Sequence, residues 1–225
     1  MNNKLAAVNI CKSFKQGKNY LEVLNDISIE FNESKSYAIT GVSGTGKSTF
    51  LHILSGIEKP TTGNIFYNLM DINAIRSKHR DVFYNQEIGL VFQQPHLIRE
   101  LSVLENIMLK GLIAGEPQKK CRQKALELLK KVDLSAKAEE KPNSLSGGQQ
   151  QRVAILRALY NQPKFLLADE PTGSLDEETA KQLVDFILEC KNIWSMGLII
   201  SSHDKYVAEK MDMVFKLHNG DLEKI

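Results

Sequence analysis

The stretch GVSGTGKST, Gly41 to Thr49, follows the short apolar run YAIT and leads into KSTFLHILSG, whose apolar residues have helical spacing. It fits the pattern Gly, four residues, Gly-Lys, then Ser or Thr, in the strand-loop-helix setting that gives the pattern its physical meaning. Glycines at Gly41, Gly44 and Gly46, with Ser43, Thr45 and Thr49 between and after them, let backbone N–H groups wrap an anion. Lys47 then reaches the outer phosphates of a nucleotide, and the Ser48 hydroxyl is placed to ligate Mg²⁺. The stretch therefore predicts an α/β fold with its ligand at the carboxyl end of a parallel strand.

Such a loop needs a carboxylate at the end of a neighbouring buried strand to orient the metal. FLLADEPTG supplies it: Asp169 would act through the water shell of Mg²⁺, and Glu170, one residue on, would take a proton from an attacking water. Read alone, two acids after four apolar residues are equally a strand running out into solvent. His203 follows the strand-like GLIIS and so projects from a strand end beside these acids. His52, His79, His96 and His218 read instead as satisfied or merely exposed. Gln93, at the end of IGLVF, has an address like that of His203 and is placed to ligate Mg²⁺ or to hold the water.

A second anion-binding helix start occurs at LSGGQQQR, Leu145 to Arg152. A helix N-terminus contributes about 0.3–1 kcal/mol to holding an anion, and about 2 kcal/mol in favourable cases. Millimolar affinity alone requires about 4 kcal/mol. The Ser146-Gly147-Gly148 helix is thus too weak to hold a nucleotide unaided, but it can cap phosphates already held by Lys47 and Mg²⁺. The two motifs fall on different lobes, so a second copy of the chain, head to tail, would bring them together. A two-fold homodimer formed on ATP binding makes both contacts at once.

Around these motifs the chain alternates. Strands are expected at Leu5 to Ile10, Ile27 to Phe31, Tyr37 to Thr40 and Asn64 to Tyr67, and again at IGLVF, FLLAD and GLIIS. Helical spacing over Leu101 to Ala114 and Gln118 to Val132 predicts an inserted lobe, and helices are expected from Gly147 and over Glu177 to Trp194. Alternating helix and buried strand implies a parallel sheet covered on both faces. MVFKLHNGDLEKI, with Asn219-Gly220 at its middle, reads as a terminal hairpin.

Composition narrows the class. The 225 residues carry 42% hydrophobic and 25% charged side chains and a net charge of +2, which excludes disorder and the strong positive field of a dedicated nucleic-acid binder. The longest apolar runs, such as MGLII, are far short of the ~20 residues that cross a bilayer. The N-terminal MNNKLAAVNI has no long apolar core or cleavage site, so a cytoplasmic location is expected. Cys11, Cys121 and Cys190 are far apart and read as reduced and structural.

Taken in order, GVSGTGKST, Gln93, LSGGQQQR, FLLADEP, GSLD and His203 resemble the motifs of an ATP-binding cassette (ABC) ATPase over nearly the whole chain. The resemblance implies a P-loop NTPase fold with a mostly parallel core sheet, an N-terminal antiparallel β subdomain and an inserted α-helical lobe. It implies one domain over residues 1–225, with a catalytic core of 1–93 and 158–225 and a lobe of about 94–157. It further implies that Phe14 stacks on adenine, that Glu170 is the general base and that His203 is the γ-phosphate switch. Ser146, Gly147 and Gly148 become contacts made in trans, and Asp176 links the two sites. LADEPTGSLD, FLHILSGIEKPTTG and LSVLENI are similar to the lipoprotein-releasing, macrolide-exporting and cell-division members of the family. Thr45 departs from the usual Ser, and Leu156 from the Ala of the IARAL pattern; both lie outside the catalytic set.

A member without a membrane segment must deliver its work to an integral membrane permease and so sit peripherally on the inner face of the membrane. The resemblance places that docking surface at QQPHLIRELS, where Pro95, Leu97, Ile98 and Leu101 either meet the partner or pack under the lobe. Two functions are expected from the chain: lipoprotein release or export driven by ATP hydrolysis, or regulatory signalling to a membrane partner without transport. A soluble cassette of DNA repair or translation is disfavoured by the absence of a long coiled-coil insert and a second cassette.

Overall fold

A computed structural model describes residues 3–75, 77–173 and 175–225. The chain opens with two long strands, β1 (Lys4–Gln16) and β2 (Asn19–Asn32), then β3 (Ser36–Thr40), helix α1 (Lys47–Leu54), β4 (Thr62–Tyr67) and the two-residue β5 (Met70–Asp71). Helix α2 (Ser77–Gln86) and β6 (Ile88–Val91) follow, then α3 (Val103–Ile113), α4 (Gln118–Lys130) and α5 (Gly147–Leu159). The rest is β7 (Phe165–Asp169), α6 (Glu177–Trp194), β8 (Gly197–Ser201), α7 (Lys205–Glu209) and the hairpin β9 (Met213–His218) and β10 (Asp221–Lys224).

The strands form two sheets. One is antiparallel, in the order β2-β1-β4-β5. The other runs β10-β9-β3-β8-β7-β6, parallel throughout except for β10. Every residue of β7 and of β8 is buried, the signature of parallel strands covered on both faces. Because β3, β6, β7 and β8 are parallel, their carboxyl ends share one edge of the sheet, and the loops after them meet there.

Three apolar clusters hold these layers. The first joins the antiparallel sheet to α1 and one face of the large sheet, with Phe31, Tyr37, Phe50 and Phe165 fully buried. A second packs the opposite face under α5 and α6 through Ile155, Leu159, Val184 and Ile187. The third lies within the helical lobe, where Val103, Ile107, Leu129 and Tyr160 bring α3, α4 and α5 together. At Gly111 on α3 a β-carbon would stand 2.6 Å from the Tyr160 ring, so the helices approach as closely as only glycine permits. Lys110 crosses from α3 to the core, donating to Ile88 O at 3.1 Å and Asn85 O at 3.4 Å. Burial, helped by the Arg157 charge, pushes its ammonium down to about 8.

Several elements differ from expectation. The strands predicted at Leu5 to Ile10 and Ile27 to Phe31 are parts of a ribbon more than twice as long, whose register shifts between Ala7 and Ile10 and again near Lys12. Asn9 and Asp26 take positive φ at these irregularities (50° and 49°), which interrupts the apolar alternation that marks a strand. Helix α2 was not expected at all. Its sequence, SKHRDVFYNQ, is charged, and it anchors through Phe83 and Tyr84, which pack against the first cluster. The helix expected over Leu101 to Ala114 is trimmed at both ends, and the one expected over Gln118 to Val132 only at its C-terminal end. Ser102 caps α3 with a reciprocal box to Glu105, and the chain turns at Lys131 to Leu134.

Candidate functional site

The loop between β3 and α1 is shaped by two glycines. Gly46 has φ 102°, and a β-carbon there would stand 2.6 Å from Val23 Cγ1. Gly41 has φ 150°, and its β-carbon would meet Leu217 O at 2.6 Å. A larger residue at either place would be both strained and obstructed. Thr45 Oγ1 turns back to donate to Val42 O at 2.9 Å, so Gly41 and Thr45 build the loop while Ser43, Gly44, Gly46, Ser48 and Thr49 line the cavity above it. That cavity, about 320 Å³, is closed by Val23, Lys47, Gln93 and Glu170.

Lys47 is 4% exposed, a burial tolerated because its ammonium is fully engaged. It donates to Gly41 O at 2.9 Å and Val42 O at 3.2 Å and stands 3.4 Å from Glu170 Oε1. The other Glu170 oxygen lies 3.3 Å from His203 Nδ1. Glu170 holds φ 40°, a left-handed conformation unusual for this residue type, and its amide donates to both the carbonyl (3.1 Å) and the hydroxyl (3.0 Å) of Ser201. The same hydroxyl donates to Asp169 Oδ1 at 2.6 Å. Ser201 thus ties the ends of β7 and β8 together and fixes which way each acid points.

Asp169 is buried and does not line the cavity itself; Glu170, next in the chain, does. His203 lines an adjoining cavity of about 540 Å³ together with Glu170, Thr172, Gly173 and Leu175. A β-carbon on Gly173 would lie 3.6 Å from Glu170 Oε2 and 3.7 Å from Gln93 Nε2, so these two side chains converge across the seam of the two cavities. Hydroxyl, amide and carboxylate oxygens from Ser48, Gln93 and Asp169 are the hard donors that suit Mg²⁺. Among the described residues no group of three or more His, Cys, Asp or Glu is placed to hold a metal ion.

The second set of predicted residues lies apart. Ser146 caps α5, its Oγ accepting from Gln149 N at 3.3 Å while Gln149 Oε1 accepts from Ser146 N at 3.0 Å. Ser146 and Gly147 are exposed, with open space around Gly147, and neither lines the two cavities. Asp176 caps α6 by accepting from Thr179 N at 2.9 Å, and that bond holds its carboxyl below the usual range. A β-carbon on Gly148 would stand 3.2 Å from Leu175 Cδ2, so the starts of α5 and α6 are neighbours. Ser174, within the GSLD motif, lies outside the described residues. Phe14 stands on β1 opposite Leu21, partly exposed, with the Lys12 ammonium 4.7 Å from its ring centroid; it does not line the cavity.

The segment after β6 divides its side chains. Leu97 packs against the lobe core, whereas Ile98 is 42% exposed. Arg157 pins the segment by donating to His96 O and Pro95 O, both at 2.9 Å, and Asn106 brackets Ile98. A groove of about 370 Å³ lies between Gln94, Pro95 and Leu97 on one side and Pro142, Asn143 and Gln150 on the other. Sequence reasoning missed Ser201, Val23 and Arg157. An Arg on α5 and a Ser closing a buried strand were the available signals, but neither says what it faces. The expectation for His52 is corrected: its Nε2 is neither exposed nor satisfied, being buried without a hydrogen-bond partner.

No helix among the described residues is long and apolar enough to cross a membrane. The model of the ABC transporter family matches residues 24–173. The lipoprotein-releasing system ATP-binding protein LolD of Legionella pneumophila (strain Paris) is 43% identical over 218 residues, 97% of this chain and 96% of the relative. LolD of Paramagnetospirillum magneticum is 42% identical over 224 residues, 100% of this chain and 99% of the relative. Among solved structures, the ATP-binding cassette MJ0796, a dimer in a post-hydrolysis state bound to ADP and Pi, superposes with a TM-score of 0.91 at 34% identity, covering 98% of both chains.

Proposed function

The chain belongs to the ABC transporter ATP-binding family, and from that premise we propose that it is the ATP-hydrolysing subunit of a membrane complex that releases lipoproteins. It binds ATP and is an ATPase of the P-loop, α/β type. The observation that carries the detailed reading is the convergence of Lys47, Gln93 and Glu170 on one cavity, with His203 Nδ1 3.3 Å from the far oxygen of Glu170.

In this reading, loop N–H groups from Gly41 to Thr49 cradle the phosphates, and the Lys47 ammonium leaves the carbonyls of Gly41 and Val42 to meet the outer ones. Ser48, Gln93 and Asp169 would hold Mg²⁺, which would neutralise charge on the phosphates. Glu170 takes the proton of the attacking water, oriented by His203 and held at the strand end by Ser201. Gln93 orients that water from the opposite side. Phe14 stacks on the adenine. Ser146, Gly147 and Gly148 act on the nucleotide of a second copy, and Asp176 stands between the two sites. The core, 1–93 and 158–225, carries the chemistry, and the lobe of about 94–157 presents the trans contacts.

The membrane partner is a permease whose cytoplasmic segment enters the groove beside Pro95, Leu97 and Ile98, placing this chain on the inner face of the membrane. Relatives named for lipoprotein release favour that branch over regulatory signalling. The test is mass spectrometry of what copurifies with ATP-trapped Glu170→Gln from gently solubilised membranes. A membrane protein with few spans and a large external domain is expected; recovery of soluble partners alone would refute the proposal.

A further inference from the structure

Helix α1 carries Ser48 and, one turn later, His52 on the same face. The His52 ring lies 5.6 Å from that of Phe92, the residue before Gln93, with the planes 56° apart. Its Nε2 is sealed from solvent and has no hydrogen-bond partner among the described residues, yet Asp169 Oδ2 stands only 3.9 Å away. The other Asp169 oxygen is already committed, to Ser201 Oγ at 2.6 Å. One carboxylate therefore has a locked oxygen and an unlocked one, and the unlocked one faces a nitrogen that lacks a partner.

A buried polar group without a hydrogen-bond partner is costly, and each one calls for an explanation in what the protein does. The His52 side chain is 29% exposed, but its Nε2 end is turned inward, toward Asp169. A shift of about 1 Å brings the nitrogen within hydrogen-bond range of Oδ2.

We infer that His52 is a positioning residue for the metal-bearing nucleotide site: its Nε2–H closes on Asp169 Oδ2 when the phosphate loop fills, so that Ser201 and His52 fix the carboxylate from both sides. The inference rests on the proposed reading of Asp169 as the acid that orients Mg²⁺. Partners that orient the groups around a metal are worth about 10–100-fold in its affinity, and an acid acting through the ion's water shell belongs at the lower end of that range.

The test uses Mn²⁺ as a paramagnetic probe, titrated into the ADP-loaded full chain, with ADP affinity in EDTA measured in parallel by calorimetry. His52→Leu is expected to weaken Mn²⁺ binding about 10-fold and to leave ADP affinity in EDTA unchanged. His52→Gln, whose amide nitrogen reaches the place of Nε2, is expected to bind Mn²⁺ as the parent does. Unchanged Mn²⁺ affinity in His52→Leu overturns the inference. So does an equal loss of ADP affinity in EDTA, which would make the ring a packing element, and so does failure of His52→Gln to restore binding. Should His52→Leu not fold, His52→Asn, whose amide stops one bond short, replaces it with the same expectation. A parent that binds no Mn²⁺ alongside ADP overturns the metal-site reading itself, and the inference with it, and that failure is visible before any variant is made.

Discussion

Ser201→Ala isolates the hydroxyl that joins the two strand ends under the site. Ser201 is fully buried, and its Oγ donates to Asp169 Oδ1 at 2.6 Å, a distance typical of a charge-assisted bond. Removing a partner of that kind costs about 1.5–3 kcal/mol. The Glu170 amide loses one of its two acceptors but keeps the Ser201 carbonyl at 3.1 Å, so it adds little. The void left by one oxygen is below the size that dominates core substitutions. About 2 kcal/mol is therefore expected, and with a urea m-value of about 2–3 kcal/mol/M it lowers the denaturation midpoint by about 0.7–1 M. Because the same oxygen sets the direction of Asp169, steady-state ATPase should also need more Mg²⁺ to reach half its maximum. Equilibrium urea unfolding followed by circular dichroism measures the first effect and a Mg²⁺ titration the second. A midpoint shifted by less than about 0.2 M, with the Mg²⁺ dependence unchanged, would refute the view that this hydroxyl organises the site.

Glu170→Gln keeps the shape of the side chain but loses its charge and its capacity to accept a proton. Turnover should fall about 10²–10⁴-fold while ATP binding persists, and light scattering at saturating ATP and Mg²⁺ should find a dimer; a monomer would remove the case for contacts in trans. Lys110 provides a pH signature, since burial holds its folded pKa at about 8, below that of the unfolded chain. The unfolded state then binds more protons between about pH 8 and pH 10, so stability at this site rises with pH across that window. Measured against Lys110→Met, the parent should gain about 2 kcal/mol from pH 8 to pH 10, and a constant difference between the two would show that the ammonium is not desolvated.

Which features could be read from the sequence follows from the range of the forces involved. The phosphate loop, the acids after FLLAD and the cap at Ser146 are local patterns, each a few residues long, in which backbone geometry dictates residue type. The strands β7 and β8 are apolar throughout because both faces are covered, and such runs are visible without knowing what covers them. The long ribbon of β1 and β2 was not visible, because Asn9 and Asp26 break its alternation at the bulges. Helix α2 escaped because two aromatic side chains, Phe83 and Tyr84, do the anchoring that a full apolar stripe does elsewhere. His52 illustrates the limit on the site itself. Its spacing from Ser48 is legible, but the absence of a partner for Nε2 depends on Asp169, more than a hundred residues away.

The cap of α5 can be considered from the side of its hydrogen. Ser, Thr, Asp and Asn are nearly interchangeable as helix caps, because each needs only to offer an oxygen to a backbone amide. In Ser146 that oxygen accepts from Gln149 N, while the hydroxyl's own proton has no acceptor among the described residues. A carboxylate in the same place would cap the helix equally well, yet it would turn a negative charge outward and have no proton to give. Serine separates the two duties: its lone pair serves the helix, and its hydrogen remains free to point at an incoming oxyanion. The helix start is thereby polarised as a donor surface, a property that the stability of the cap alone would not have selected.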